Sequence, residues 1–251
     1  MKTLIPLILI LFFFTQSKGQ NNFGFVNTDK VRYEFFDSAM NATEDFIKVA
    51  YLKKLTKTDT SYTEALYQFR GPQVYTKTYK DPSKAALNGV AVYMNQYGNL
   101  DSAGYYKENL RSGRWIFTSR KSYTTKLYND GLETEIKTVN LDSLKGRPAV
   151  DSLEKYAEFP GGVDGWRNYL VKNFRYPQRA INLNKEGTVY ITFMIDKDGT
   201  LLDPYISRSI ELSIDEVSLG LIRKSPKWIP AVQHGRNVKC YFSQPVSFRL
   251  Q

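Results

Sequence analysis

The chain has 251 residues, 42% of them hydrophobic and 24% charged, the proportions of an ordinary globular protein with enough chain for one or two cored domains. Its formal charge is +10, but the lysines and arginines are scattered without a run of five, so a solvated basic surface is favoured and nucleic acid is not an expected partner. Cys240 is the only cysteine, which excludes an intrachain disulfide.

Taken from its start, the chain opens with Lys2 and an eleven-residue apolar run from Leu4 to Phe14. Ser17-Lys18-Gly19 follows, with small residues at the −3 and −1 positions of a cut before Gln20, and together these read as a secretory signal over residues 1–19. The run is shorter than the roughly 20 apolar residues of a spanning helix, and the alternative is an uncleaved anchor. No cysteine near the cut offers a lipoprotein acceptor. Removing 1–19 from 251 leaves 232 residues, and the loss of Lys2 and Lys18 lowers the charge from +10 to +8.

Residues 20–140 are rich in Tyr, Thr and Lys, with alternating segments such as Val74 to Tyr79 that read as strands. Asn88-Gly89 and Asn129-Asp130-Gly131 read as tight turns. Ser38 to Leu55 is the one segment here with helical spacing, through Phe46, Val49, Ala50 and Lys53. An internal repeat places Leu87 to Tyr93 against Leu110 to Phe117, with Gly89 and Gly113 24 residues apart and Tyr97-Gly98 and Gly104-Tyr105-Tyr106 between them. This glycine–aromatic pattern resembles the MORN-like repeat of exported bacterial proteins, and an all-β domain of another kind fits it equally well. Residues 141–157 lack periodicity, carry Pro148 and read as a linker.

Residues 158–251 are the most legible part. Asp164 is placed as an N-cap, and Trp166, Tyr169, Leu170 and Phe174 then form one apolar helix face that Tyr176-Pro177 ends. In Thr188 to Ile195 the residues Val189, Ile191, Phe193 and Ile195 share one strand face, and Asp196-Lys197-Asp198-Gly199 turns the chain back. The return from Thr200 to Ser207 carries Pro204 and belongs at a sheet edge. Ser213 to Glu216 reads as a capping box, Ile214, Val217, Leu221 and Ile222 as a buried stripe, and Ser225-Pro226 as a stop. Val238 to Phe248 is the final strand, broken by Pro245. Strand, strand, helix, strand gives a three-stranded antiparallel sheet with two helices on one face, so the expected fold is α+β, preceded by a mostly β domain. The final strand is then an open edge, where an added strand could pair.

In order, Phe159-Pro160-Gly161-Gly162, Tyr176-Pro177, Asp196-Lys197-Asp198-Gly199, Pro226-Lys227-Trp228-Ile229-Pro230 and Pro245 to Leu250 punctuate this module. The series resembles the TonB C-terminal domain, in the form common in Bacteroidota-type exported proteins. The resemblance implies a periplasmic domain that pairs the TonB box of outer-membrane receptors with its last strand, and it implies energy-dependent transmembrane transport. Carried over by position, the partner-binding edge is Val238, Lys239, Cys240, Tyr241, Phe242 and Ser243, with Trp228 packed beside it. The motif residues Pro160, Gly161, Gly162, Tyr176, Pro177, Gly199, Pro226, Trp228, Pro230 and Pro245 hold the module's shape.

TonB proper also has a long membrane helix and a proline-rich spacer, and docks with the ExbB and ExbD complex. This chain has an eleven-residue apolar run and a β-rich domain instead, so coupling to ExbB and ExbD does not follow from the resemblance. Inner-membrane anchoring facing the periplasm is the alternative location, an envelope adaptor without energy transduction the alternative function, and a homodimer a further candidate partner. Residue by residue, His234 reads as a turn residue, Cys240 as a packed thiol, and Asp196, Asp198 and Asp203 as turn chemistry rather than a calcium loop. Arg236 is the candidate for steering an acidic peptide. No catalytic group, metal or cofactor is expected.

Overall fold

Alternating Tyr, Thr and β-branched residues separated by short turns give nine consecutive strands in the N-terminal half. In the structure, a computed structural model that describes residues 25–140 and 153–250, these are β1 (Val31–Phe36), β2 (Tyr51–Lys57), β3 (Tyr62–Gln68), β4 (Gln73–Tyr79), β5 (Leu87–Met94), β6 (Leu100–Lys107), β7 (Leu110–Thr118), β8 (Ser122–Asn129) and β9 (Leu132–Asn140). They form one antiparallel sheet in sequence order, each strand beside its chain neighbour. The expected signal over residues 1–19 lies outside the described residues, as does the linker up to 152. Among the described residues no helix is long and apolar enough to cross a membrane.

Two expectations fail in this half. Ser38 to Leu55 is not a helix: Asp45 closes a turn by accepting from Ile47 N at 2.9 Å, and Tyr51–Lys57 is a strand paired on both sides, with β1 and β3. Period-2 pairing with two neighbours outweighs a helical spacing that Phe46, more than half exposed, does not use. Asn88-Gly89 is not a turn but lies inside β5. Gly89 is buried with φ 127° opposite a register shift in β4, and a Cβ there would stand 2.8 Å from Thr78 Cγ2. Asn129-Asp130-Gly131 does turn the chain, between β8 and β9. The two halves of the internal repeat are β5 and β7, alternate strands of the meander.

The C-terminal half contains α1 (Gly162–Asn173), α2 (Gln178–Asn182), β10 (Gly187–Ile195), β11 (Leu201–Arg208), α3 (Leu212–Arg223), β12 (Ala231–Gln233), β13 (Arg236–Val238) and β14 (Cys240–Phe248). The order β11-β10-β14 puts the cleanest alternating strand at the centre. Val189, Ile191, Phe193 and Ile195 are fully buried beneath α1 and α3. The fold is therefore α+β as expected, with the short α2 as an addition that sequence periodicity did not signal.

Both expected helix caps are corrected. α1 starts at Gly162 with Gly161 as N-cap at φ 81°, and Asp164 sits inside the first turn, paired with Arg167 at 3.0 Å. The N-cap of α3 is Glu211, whose carboxylate accepts from Ser213 N at 2.9 Å. Glu211 wins over Ser213 because its other oxygen is held at 2.6 Å by Arg179 Nε, fixing the carboxylate at the helix start.

The two sheets share a core. Val92, Met94 and Ala103, from β5 and β6, are buried in one cluster with β10, β14 and the helices, while Phe35, Leu52, Tyr67 and Phe69 enclose Leu212 of α3. A polar chain crosses the junction. Tyr67 donates to Gln73 Oε1 at 3.0 Å, Gln73 N to Ser209 Oγ at 2.7 Å, and Ser209 Oγ to Asp215 Oδ2 at 2.5 Å. Arg179 lies over the Phe69 ring at 5.1 Å and donates to the Phe69 carbonyl. Burial pushes the Asp215 carboxyl up to about 8, so it is protonated at neutral pH. The last residues of the expected linker are docked as well: Glu154 N donates to Val232 O at 2.8 Å, and Ala157 is buried.

Candidate functional site

The β10–β11 hairpin turns on Asp196 to Gly199. Gly199 has φ 84°, and a Cβ on it would stand 2.1 Å from Trp228 O, so both backbone and space call for glycine. Trp228 N donates to Gly199 O at 2.9 Å, which anchors the Pro226 to Pro230 segment on the hairpin. The indole is 3% exposed. It packs edge-on against Phe242 at 5.0 Å, Phe193 at 5.1 Å and Phe159 at 5.5 Å, and its Nε1 donates to Ser225 Oγ at 3.1 Å. Trp228 is thus packed beneath β14, against Phe242.

The expected edge segment is divided. Val238 belongs to β13 and pairs with Ala231 in a two-stranded hairpin turned by His234 and Gly235, and Lys239 lies between the strands. Cys240, Tyr241, Phe242 and Ser243 open β14. The sheet edge therefore begins at Cys240. Within β14, Phe242 and Val246 face the core while Tyr241, Ser243, Pro245 and Ser247 are exposed.

Pro245 does not break the strand. β14 pairs with β10 over nine residues without a register shift, Cys240 opposite Ile195, Ser243 opposite Thr192 and Pro245 opposite Tyr190. A residue without an N–H keeps its place in a ladder when its donor side faces away from the neighbour. Residues of the same parity present their backbone polar groups to the same side, so Tyr241 and Ser243 turn N–H and C=O toward the open margin. Among the described residues no strand lies beyond β14.

The other margin is blunted by a bulge and capped at its Arg208 end. In β11, Asp203 takes φ 50° beside Pro204 where the register shifts, Arg208 forms a bridge with Asn99, and Ser209 N donates to Gly98 O at 2.8 Å.

The charges around the edge are mostly committed. Lys239 Nζ reaches Asp196 Oδ2 at 3.1 Å, and Lys227 Nζ reaches Asp198 Oδ2 at 2.6 Å. The Lys197 amide and then Lys239 lower the Asp196 carboxyl, and Lys227 with Thr200 holds Asp198 well below the usual carboxylate range. Arg236 is exposed on β13 beside the start of β14. Cys240 is half-buried. Among the described residues no three His, Cys, Asp or Glu side chains gather where they could hold a metal ion. Sequence reading missed Arg179, Ser209, Glu211 and Asp215, which join residues as far apart as Gln73 and Ser209 and leave no local pattern.

The site is defined by an α+β module whose small sheet is blunted at one margin and ends at the other in a strand open to a further one. Residues 172–250 match the family described as Gram-negative bacterial TonB protein C-terminal. The match takes in the end of α1 and everything after it, and it supports the TonB C-terminal resemblance of the module. No curated protein and no solved structure matches the chain.

Proposed function

We propose that the chain is an exported, non-enzymatic TonB-like protein that docks peptide segments of TonB-dependent outer-membrane receptors and serves energy-dependent transport. The docking place is the open margin of β14, with main-chain pairing at Tyr241 and Ser243, Trp228 and Phe242 as rigid backing, and Arg236 as a steering charge. The observation that carries this reading is the outer margin of β14, beyond which no strand lies among the described residues, in a module matched over residues 172–250 by the TonB C-terminal family. Residues 1–19 are read as a signal that delivers the chain to the periplasm, and the meander as a MORN-like repeat domain.

Titrating the full chain with TonB-box peptides tests docking. The expected result is a saturable change in tryptophan fluorescence with roughly micromolar affinity, together with slowed hydrogen exchange at Tyr241 and Ser243. No saturable change by about 1 mM peptide overturns the proposal.

A second reading, an envelope adaptor that transduces no energy, is favoured by one observation: the module packs directly on the meander through Val92 and Met94 instead of hanging on a spacer. Pull-down with ExbB and ExbD selects the transducer; a chain in the soluble fraction that recovers neither selects the adaptor.

A further inference from the structure

β9 is the most exposed strand of the meander. Every residue from Leu132 to Thr138 is exposed, Leu132 by 73% and Ile136 by 57%. Among the described residues it pairs only with β8. The opposite end of the same sheet is tied down, because Phe36 bridges Ala42 and Thr43 N donates to Phe35 O at 3.0 Å. A long exposed edge is a template for another strand, and its side chains decide which strand fits.

The chain's own β9 fits. Two copies related by a two-fold axis normal to the sheet run antiparallel and keep their faces, so the pairing must be centred on a single residue. Centring on Glu135 or Lys137 sets a charge against itself, and centring on Thr134 sets Glu133 against Glu135. Centring on Thr138 leaves every charge without an opposite. Centring on Ile136 sets Glu135 against Lys137 twice, Thr134 against Thr138 twice, and Ile136 against Ile136. β9 keeps a regular register against β8 from Glu135 onward and shifts only at Thr134, so Glu135, Ile136 and Lys137 lie on unbulged strand. Glu133 is not needed: Lys126 at 2.7 Å and Tyr128 at 3.2 Å already hold it. Glu135 and Lys137 make no ion pair within the chain among the described residues.

We infer that β9 is a self-association edge, through which two copies pair antiparallel about Ile136 and join their two meanders into one continuous sheet. Each such dimer presents two β14 margins.

Sedimentation velocity on the full chain, from about 1 µM to 1 mM, tests this, with circular dichroism to confirm that each variant is folded. The expected result is a concentration-dependent dimer. Glu135→Lys and Lys137→Glu each replace two attractive cross-strand pairs by two repulsive ones and raise the dimer Kd about tenfold or more. The double swap E135K/K137E restores opposite charges and returns the Kd to within about threefold of the original. Ile136→Lys abolishes the dimer. A monomer throughout the range overturns the inference, as does a dimer that both single swaps leave intact, or a folded double swap that stays as weak as the singles.

Discussion

The two margins of the three-stranded sheet are treated in opposite ways. At β11, Pro204 withholds a donor, Asp203 bends the strand, and Asn99 and Gly98 of the meander take up the end of the ladder at Arg208 and Ser209. At β14 the only proline turns its missing donor outward and the pairing to β10 runs unbroken. The lesson is that the meander belongs to the small module's own architecture. It caps the end of one edge strand and shares its core, while the outer margin of β14 meets no further strand among the described residues.

The contrast can be broken most severely through the core and the junction that hold both margins in place. Trp228→Ala removes the ring that backs Phe242 and Phe193 and is expected to lower stability by about 3–5 kcal/mol, read as a shifted denaturant midpoint. Arg179→Ala leaves the buried Glu211 carboxylate without its counter-charge, and a loss of about 3 kcal/mol is expected. A variant as stable as the parent would show that the junction carries no energy.

Proline scanning sharpens the open side. Gln244→Pro takes a donor from the ladder to β10 and is expected to cost about 3 kcal/mol, whereas Ser243→Pro loses an outward donor and a long, exposed contact from Thr192 Oγ1 at 3.5 Å and should stay within about 1 kcal/mol of the parent. The same Ser243→Pro change should weaken peptide binding about tenfold, since it removes a main-chain bond at the docking margin. Equal destabilisation by both prolines would refute the assigned parity.

A smaller effect is expected from pH. The Asp215 carboxyl titrates near 8 in the folded chain and near the ordinary carboxylate value when unfolded. The folded state therefore binds the extra proton. The stability it contributes is full below about pH 4, and is lost as the pH rises through about 8. Asp215→Asn, which keeps a neutral side chain beside Ser209, should flatten that slope; an unchanged stability profile between pH 5 and pH 9 would falsify the assignment. Smallest of all, Lys239→Gln opens an exposed ion pair with Asp196 and should change stability by less than about 0.5 kcal/mol.

Much of the module could be read from the chain because its signals are local. Val189, Ile191, Phe193 and Ile195 alternate without exception, Gly199 marks the only tight turn they could reach, and Pro204 names an edge. What failed were readings in which a local pattern met a distant partner. Ser213 to Glu216 has the letters of a capping box, but Arg179 fixes Glu211 at the helix start instead. Phe46, Val49, Ala50 and Lys53 have helical spacing, but β1 and β3 claim the residues from Tyr51 onward. Asn88-Gly89 has the letters of a hairpin turn, but Thr78 approaches it across a bulge. The split of Val238 from Cys240 could not be read either, since Ala231 pairs with Val238 only once the His234-Gly235 turn has formed.

Strand order also sets a sequence in time. In the meander each strand pairs with its chain neighbour, so the contacts are local in sequence and form early. The β10–β14 ladder joins Gly187 to Phe248 and must wait for nearly the last residue. The meander can therefore stand as a finished template while the docking module is still incomplete, and Asn99 and Gly98 are ready to seat β11 before β14 arrives. A chain cut short before Cys240 would leave β10 itself as the raw edge, with Phe193 and Ile195 stripped of their neighbours. The strand proposed to receive a receptor peptide is the same strand whose arrival completes folding.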